Sequence, residues 1–196
     1  FYHVHHWSVT NSVFDGSRSD GTHFYHSHDG RFDENVVINS QMGGYFLEGC
    51  DDVSAERNTI TGNGSRGVTI ERNSRRCRLV NNEVAHSGRE GLWAPDVEDI
   101  VVSDNTFREN GQKDDGERES EIRLDEGDAY DVVTRNIRIE SNVFFATDHT
   151  HGVIHVSPGC ESITIRSNSF RGGVRTLRIE RDRVTLADKT GLAERN

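Results

Sequence analysis

Residues 67–88 read GVTIERNSRRCRLVNNEVAHSG. The stretch opens on Gly67 and alternates apolar Val68 and Ile70 with Thr69 and Glu71. It turns through polar residues, carries a second apolar run at Leu79 and Val80, and ends on Asn82, Val84 and a Ser-Gly turn. Period-two alternation over a few residues marks short strands with one buried face. The turns between them are rich in Gly, Asn and Ser. Two such strands cannot bury a core by themselves.

The closing phrase, Asn then any residue then an apolar residue, recurs at Asn11, Asn35, Asn58, Asn82, Asn105, Asn142 and Asn168. The intervals are 24, 23, 24, 23, 37 and 26 residues. The opening Gly phrase recurs as GYFLEG from Gly44, GLWAPD from Gly91 and GVIHVS from Gly152, and more loosely as GTHFYH from Gly21 and EIRLDE from Glu121. A fixed period of this size built from strands predicts a solenoid. We expect an all-β, single-stranded right-handed parallel β-helix of about seven coils of 23–24 residues. Each strand then pairs in parallel with its counterpart one coil away, at about 4.8 Å. The recurrent Asn is expected to turn inward and form a ladder of amides, simple turn propensity being the alternative.

The 37-residue interval implies an insertion of about 14 residues, placed near 111–120, where the sequence is charged and lacks apolar residues. The solenoid is expected over 1–181, with 182–196 as a C-terminal tail or cap. The chain begins inside a repeat at Phe1, which suggests a mature chain or a fragment. An open first coil implies missing upstream coils, a covering partner or a homo-oligomer.

Composition agrees with a narrow solenoid. Hydrophobic residues are only 32% of the 196, yet there are nine Phe and two Pro. The net charge of −10, with no basic stripe, argues against nucleic acid as a partner. No run of 18 apolar residues exists to span a membrane. Three cysteines, Cys50, Cys77 and Cys160, give neither a disulfide framework nor a zinc spacing, and read as small buried residues. The histidines of HVHH at 3–6 and HTHGVIH at 149–155 match no zinc motif and read as exposed turn residues. No cofactor is expected; Asp51 and Asp52 offer a Ca²⁺ turn, with a solvated acidic turn the more ordinary reading.

Chemistry must come from the outward positions of the Gly-phrase strand. Residues one and three after Gly point inward: Tyr45 and Leu47, Val68 and Ile70, Leu92 and Ala94, Ile122 and Leu124. The alternate positions point out. They are His23 and Tyr25, Phe46 and Glu48, Thr69 and Glu71, Trp93 and Pro95, Arg123 and Asp125. Aromatic rings offer flat faces to sugars, and acids and Arg bond hydroxyls or carboxylates. Candidate catalytic residues are Tyr25, His23, His26, His28, Glu48, Glu71, Arg123 and Asp125. Candidate substrate-binding residues are Phe46, Arg72, Trp93 and Asp96. Three chemistries fit. Tyr25 or a nearby His removes the proton α to a uronate carboxyl that Arg72 or Arg123 neutralises. Glu48, Glu71 and Asp125 act as stacked hydrolase carboxylates. Or the strip only binds glycan or packs against a neighbour.

The stretches at 67–88 and 91–111 (GLWAPDVEDIVVSDNTFRENG) resemble the pectate-lyase-like β-helix superfamily, nearest to mannuronan C5-epimerases and polysaccharide lyases. The resemblance extends loosely over 1–180. It implies a secreted enzyme acting on an acidic polysaccharide by elimination or epimerisation. The Asp-Pro-His-acid motif of such epimerases is absent; the nearest stretch is Phe24-Tyr25-His26-Ser27-His28-Asp29.

Overall fold

The computed structural model describes residues 1–113, 120–127, 132–148 and 150–179, and the backbone of 184–186. Among these residues there are strands and turns and no helix. One chain winds through three parallel sheets, of eight, seven and seven strands, and every pairing joins strands of adjacent coils. The coil that decided the sequence reading shows the plan. Val68–Glu71 lies in the first sheet, Arg78–Val80 in the second and Glu83–Ala85 in the third. The expected solenoid of about seven coils is therefore present.

The predicted inward residues form the core. Tyr45, Val68, Ile70, Leu92, Ala94, Ile122 and Leu124 are fully buried. Phe24, Phe32 and Tyr45 interlock at one end, and Phe107, Phe144 and Phe170 stack at 5.3 and 5.0 Å at the other. All three cysteines are buried and free. Burial pushes the Cys50 thiol up to about 11 and that of Cys160 to about 12, so neither is a nucleophile at neutral pH.

The Asn ladder runs from Asn35 through Asn58, Asn82, Asn105 and Asn142 to Asn168. In each step the backbone N–H and the side-chain amide donate to the next Oδ1 at 2.8–3.2 Å. Each amide also caps a carbonyl of the preceding coil, as Asn82 does for Ala55 at 2.9 Å. Asn11 is not a member. Ser12 holds that place, its N–H donating to Asn35 at 3.0 Å, while Asn11 is exposed with φ 49°. The 24-residue first interval conceals this shift of one.

A second polar column follows the third sheet, and the sequence reading missed it. Ser40 N–H donates to Asn63 and Ser87 N–H to Asn110, at 3.1 and 3.0 Å. Its residues alternate Ser and Asn, so no single letter recurs. Beside it the backbones touch: a Cβ on Gly88 would lie 2.3 Å from the Gly64 carbonyl oxygen.

The insertion is split in two. Phe107 pairs with Val84 and Ile122 with Leu92, so the third-to-first-sheet step lengthens from 8 to 15 residues. Val101 pairs with Arg138, so the following step lengthens from 9 to 16. The expected single loop near 111–120 becomes two, one on each side of Ile122–Asp125. Residues 114–119 of the first lie outside the described residues. In the expected tail, Val184–Leu186 pairs with Ile163–Ile165 and so continues the second sheet; the rest of 182–196 lies outside the described residues.

Candidate functional site

The first sheet displays two outward columns in register. One runs His23, Phe46, Thr69, Trp93, Arg123, His155, Arg178. The other runs Tyr25, Glu48, Glu71, then Pro95 and Asp125. A corner residue with left-handed backbone follows four of these strands: His26, Gly49, Arg72 and Asp96, with φ of 45°, 62°, 56° and 54°. Only Gly adopts this conformation without strain. The turn brings His26 beside Tyr25 and Arg72 beside Glu48 and Glu71.

That geometry builds the first cluster. His23 Nε2 lies 2.9 Å from Glu48 Oε2, and its ring stacks on Phe46 at 4.2 Å. Arg72 bonds the other Glu48 oxygen through Nη1 and reaches Glu71 with Nε at 3.4 Å. Glu48 is 6% exposed, so two partners fix its carboxylate in a poorly hydrated place. Burial raises the Glu71 carboxyl above the usual range; Glu48 adds to this, and Arg72 and Arg66 oppose it. Tyr25 stands beside His23, with ring centroids 6.3 Å apart and planes at 89°. Around the same phenol are Tyr2, stacked at 4.5 Å, and the imidazoles of His3 and His26, edge-on at 5.8 and 4.2 Å. Tyr2 was not singled out in the sequence, and His3 was read there only as an exposed turn residue. They belong to the first coil, where no Gly phrase marks the register.

The second cluster centres on Asp125. Its Oδ2 accepts Trp93 Nε1 and Arg123 Nε, each at 2.7 Å, and its Oδ1 accepts the Ser157 hydroxyl. Burial pushes this carboxyl up, but the three donors outweigh it and hold it below the ordinary value. Arg66 lies over the Trp93 ring at 3.9 Å and is tied to Glu90 at 3.1 Å.

Other candidates lie apart from these clusters. His28 belongs to the second sheet, paired in register with Asp51, 3.9 Å away. Asp96 is 2% exposed beneath Gly127, where a Cβ would meet its carboxylate at 1.7 Å. Asp51 and Asp52 are engaged by Arg75 and Arg76, Arg76 reaching Asp52 at 2.8 Å. Among the described residues no group of three His, Cys, Asp or Glu side chains is gathered that could hold a metal ion. His3, His5, His6 and His151 are exposed as expected, whereas His155 is 3% exposed in the outward column between Arg123 and Arg178. His149 lies outside the described residues.

A search of curated proteins by sequence finds no match. Among solved structures, the chain is similar to the A-module of the Azotobacter vinelandii mannuronan C-5 epimerase AlgE4. The TM-score is 0.72 at 16% identity, covering 92% of this chain and 57% of that one. It is also similar to the periplasmic alginate epimerase AlgG, with TM-score 0.69 at 16% identity, covering 94% of this chain and 46% of that one. An alginate lyase from Paenibacillus sp. str. FPU-7 aligns with TM-score 0.52 at 10% identity, covering 89% of this chain and 80% of that one. The chain thus spans about half the length of the two epimerases. At such identities the likeness is one of fold. Residues 1–170 match the family described as the right handed beta helix region, and the chain belongs to that family.

Proposed function

We propose that this face acts on an acidic, uronate-containing polysaccharide by proton abstraction, as a lyase or C5-epimerase. The observation that carries the reading is the His23–Glu48 pair at 2.9 Å, with the carboxylate anchored from its other side by Arg72. An imidazole oriented by a fixed carboxylate is a general base with a set tautomer. His23 takes the proton α to the uronate carboxyl. The electron pair either expels the glycosidic oxygen at C4, which Tyr25 protonates, or returns to a proton delivered from the opposite face. Arg72 is the guanidinium close enough to steady the developing enolate. Arg123 is four rungs from His23, about 19 Å along the axis, and serves the polymer rather than the reacting residue. The structural similarity to a mannuronan C-5 epimerase, an alginate epimerase and an alginate lyase supports the same substrate class. With such a polymer as substrate, a secreted or extracellular location is part of the same proposal.

The test is incubation with uronate polymers and with neutral glycans. Unsaturated products or exchange of the C5 proton, lost in His23→Ala and in Tyr25→Phe, support the reading. New reducing ends without unsaturation, abolished by Glu71→Gln, support instead a hydrolase; the raised carboxyl of Glu71 against the lowered one of Asp125 is the observation in its favour. Binding without any product leaves a glycan-binding module.

A further inference from the structure

We infer that Trp93 and Arg123 form a separate binding subsite for one uronate residue of the polymer, and that Asp125 is its positioning residue rather than an acid or base. The inference rests on reading the strip as a glycan-binding face. Asp125 is committed to three donors, two of them on the neighbouring side chains Trp93 and Arg123. A carboxylate so engaged has little capacity left to exchange a proton with a substrate, but it fixes the indole edge and the guanidinium relative to each other. The side chains are held, not loose: Arg123 and Asp125 are 18% and 15% exposed, and Arg66, over the indole, is 20% exposed.

The chemistry of the pair names the ligand. An indole face packs against the C–H face of a pyranose, and the planar guanidinium matches a carboxylate. Arg66 against the ring keeps Trp93 from rotating. Trp93 lies three rungs from His23 in one outward column, about 14 Å along the axis. A uronate held there is therefore not the residue that reacts at His23. It is another residue of the same polymer, lying along the solenoid, and the subsite selects substrates long enough to reach it.

The chain has two tryptophans, Trp7 and Trp93, so a Trp7→Phe background reports on Trp93 alone. We expect uronate hexasaccharide to change Trp93 fluorescence saturably, uronate disaccharide to do so only at higher concentration, and neutral hexasaccharide to leave it unchanged. Calorimetric Kd for the hexasaccharide should rise about tenfold in Asp125→Asn and in Trp93→Phe, which keeps an aromatic face, a smaller one, but not the N–H. In turnover the loss falls on KM, and the pH profile keeps its shape. Melting curves show that each variant is folded. Turnover with unchanged fluorescence and unchanged Kd overturns the subsite while the proposed reaction stands. Saturable quenching without turnover upholds the subsite while the proposed reaction falls. Absence of both binding and turnover overturns both.

Discussion

Glu121 is bonded to Asn110 through both of its oxygens: the Asn110 backbone N–H donates at 3.2 Å and its side-chain amide at 2.5 Å. It stands where the opening phrase of other coils has Gly, and it supplies the acceptor that the next coil's polar residue gives elsewhere in this column. The insertion after Asn110 displaces that residue, and Glu121 replaces it. Glu121 is fully buried, and burial raises its carboxyl from 4.5 to about 7, with the Asn110 bonds opposing. The folded state therefore keeps a proton that the unfolded state has lost between pH 4.5 and 7. Stability falls as pH rises through that window and is level above it, by roughly 3 kcal/mol in all. In Glu121→Gln this slope should vanish, and the variant should melt higher than the parent at pH 8. Denaturant titrations of both chains across pH 4–8 check it; an unchanged slope sinks the assignment.

The Asn ladder should be the most sensitive structural element. Asn82 accepts from Asn58 and donates to Asn105 and to Ala55, all in the interior. Asn82→Ala leaves several buried groups without partners, each worth about 1–3 kcal/mol. We expect a loss of at least about 3 kcal/mol by urea unfolding, against under about 1 kcal/mol for Asn11→Ala, which is outside the ladder.

Tyr45 should be better as Phe. Its ring fills the core against Phe32 at 4.5 Å, but its hydroxyl is buried with no hydrogen-bond partner among the described residues. Burial holds the phenol well above its ordinary value, so it stays neutral. Removing an unsatisfied hydroxyl while keeping the ring should stabilise by about 1 kcal/mol. A lower melting temperature for Tyr45→Phe would contradict this.

Glu48→Gln should reduce turnover of a uronate polymer by roughly 10²–10³-fold. The amide keeps the shape and loses the charge that orients His23 and binds Arg72. If activity survives Glu48→Gln and fails in Glu71→Gln, the base is not the His23 pair.

The outward columns were legible because strand alternation is a local rule: Phe46 and Glu48 must share a face once Tyr45 and Leu47 are buried. Sequence spacing also showed that Glu48 and Glu71 are neighbours. It did not show that Arg72 would lie between them, since that depends on a left-handed corner at φ 56°, which a non-Gly residue rarely adopts. Nor did it separate the roles of Glu71 and Asp125. Both are acids in the same column, and only the donors around them differ. His28 looked like part of the Tyr25–His26 group by proximity in the chain, yet the corner at His26 carries it onto the next sheet.

By itself the sequence determined the solenoid, its coil length, its core and the two outward columns, because each follows from a periodic pattern that every coil repeats. The tertiary structure decided what the period does not contain. The split insertion, the Glu121 substitution, the cage of Tyr2 and His3 around Tyr25, and the division of one strip into a His23–Glu48–Arg72 cluster and an Asp125-centred one all come from contacts between coils. Those contacts depend on which side chains meet across about 4.8 Å of stacking, and no spacing within a single coil encodes them.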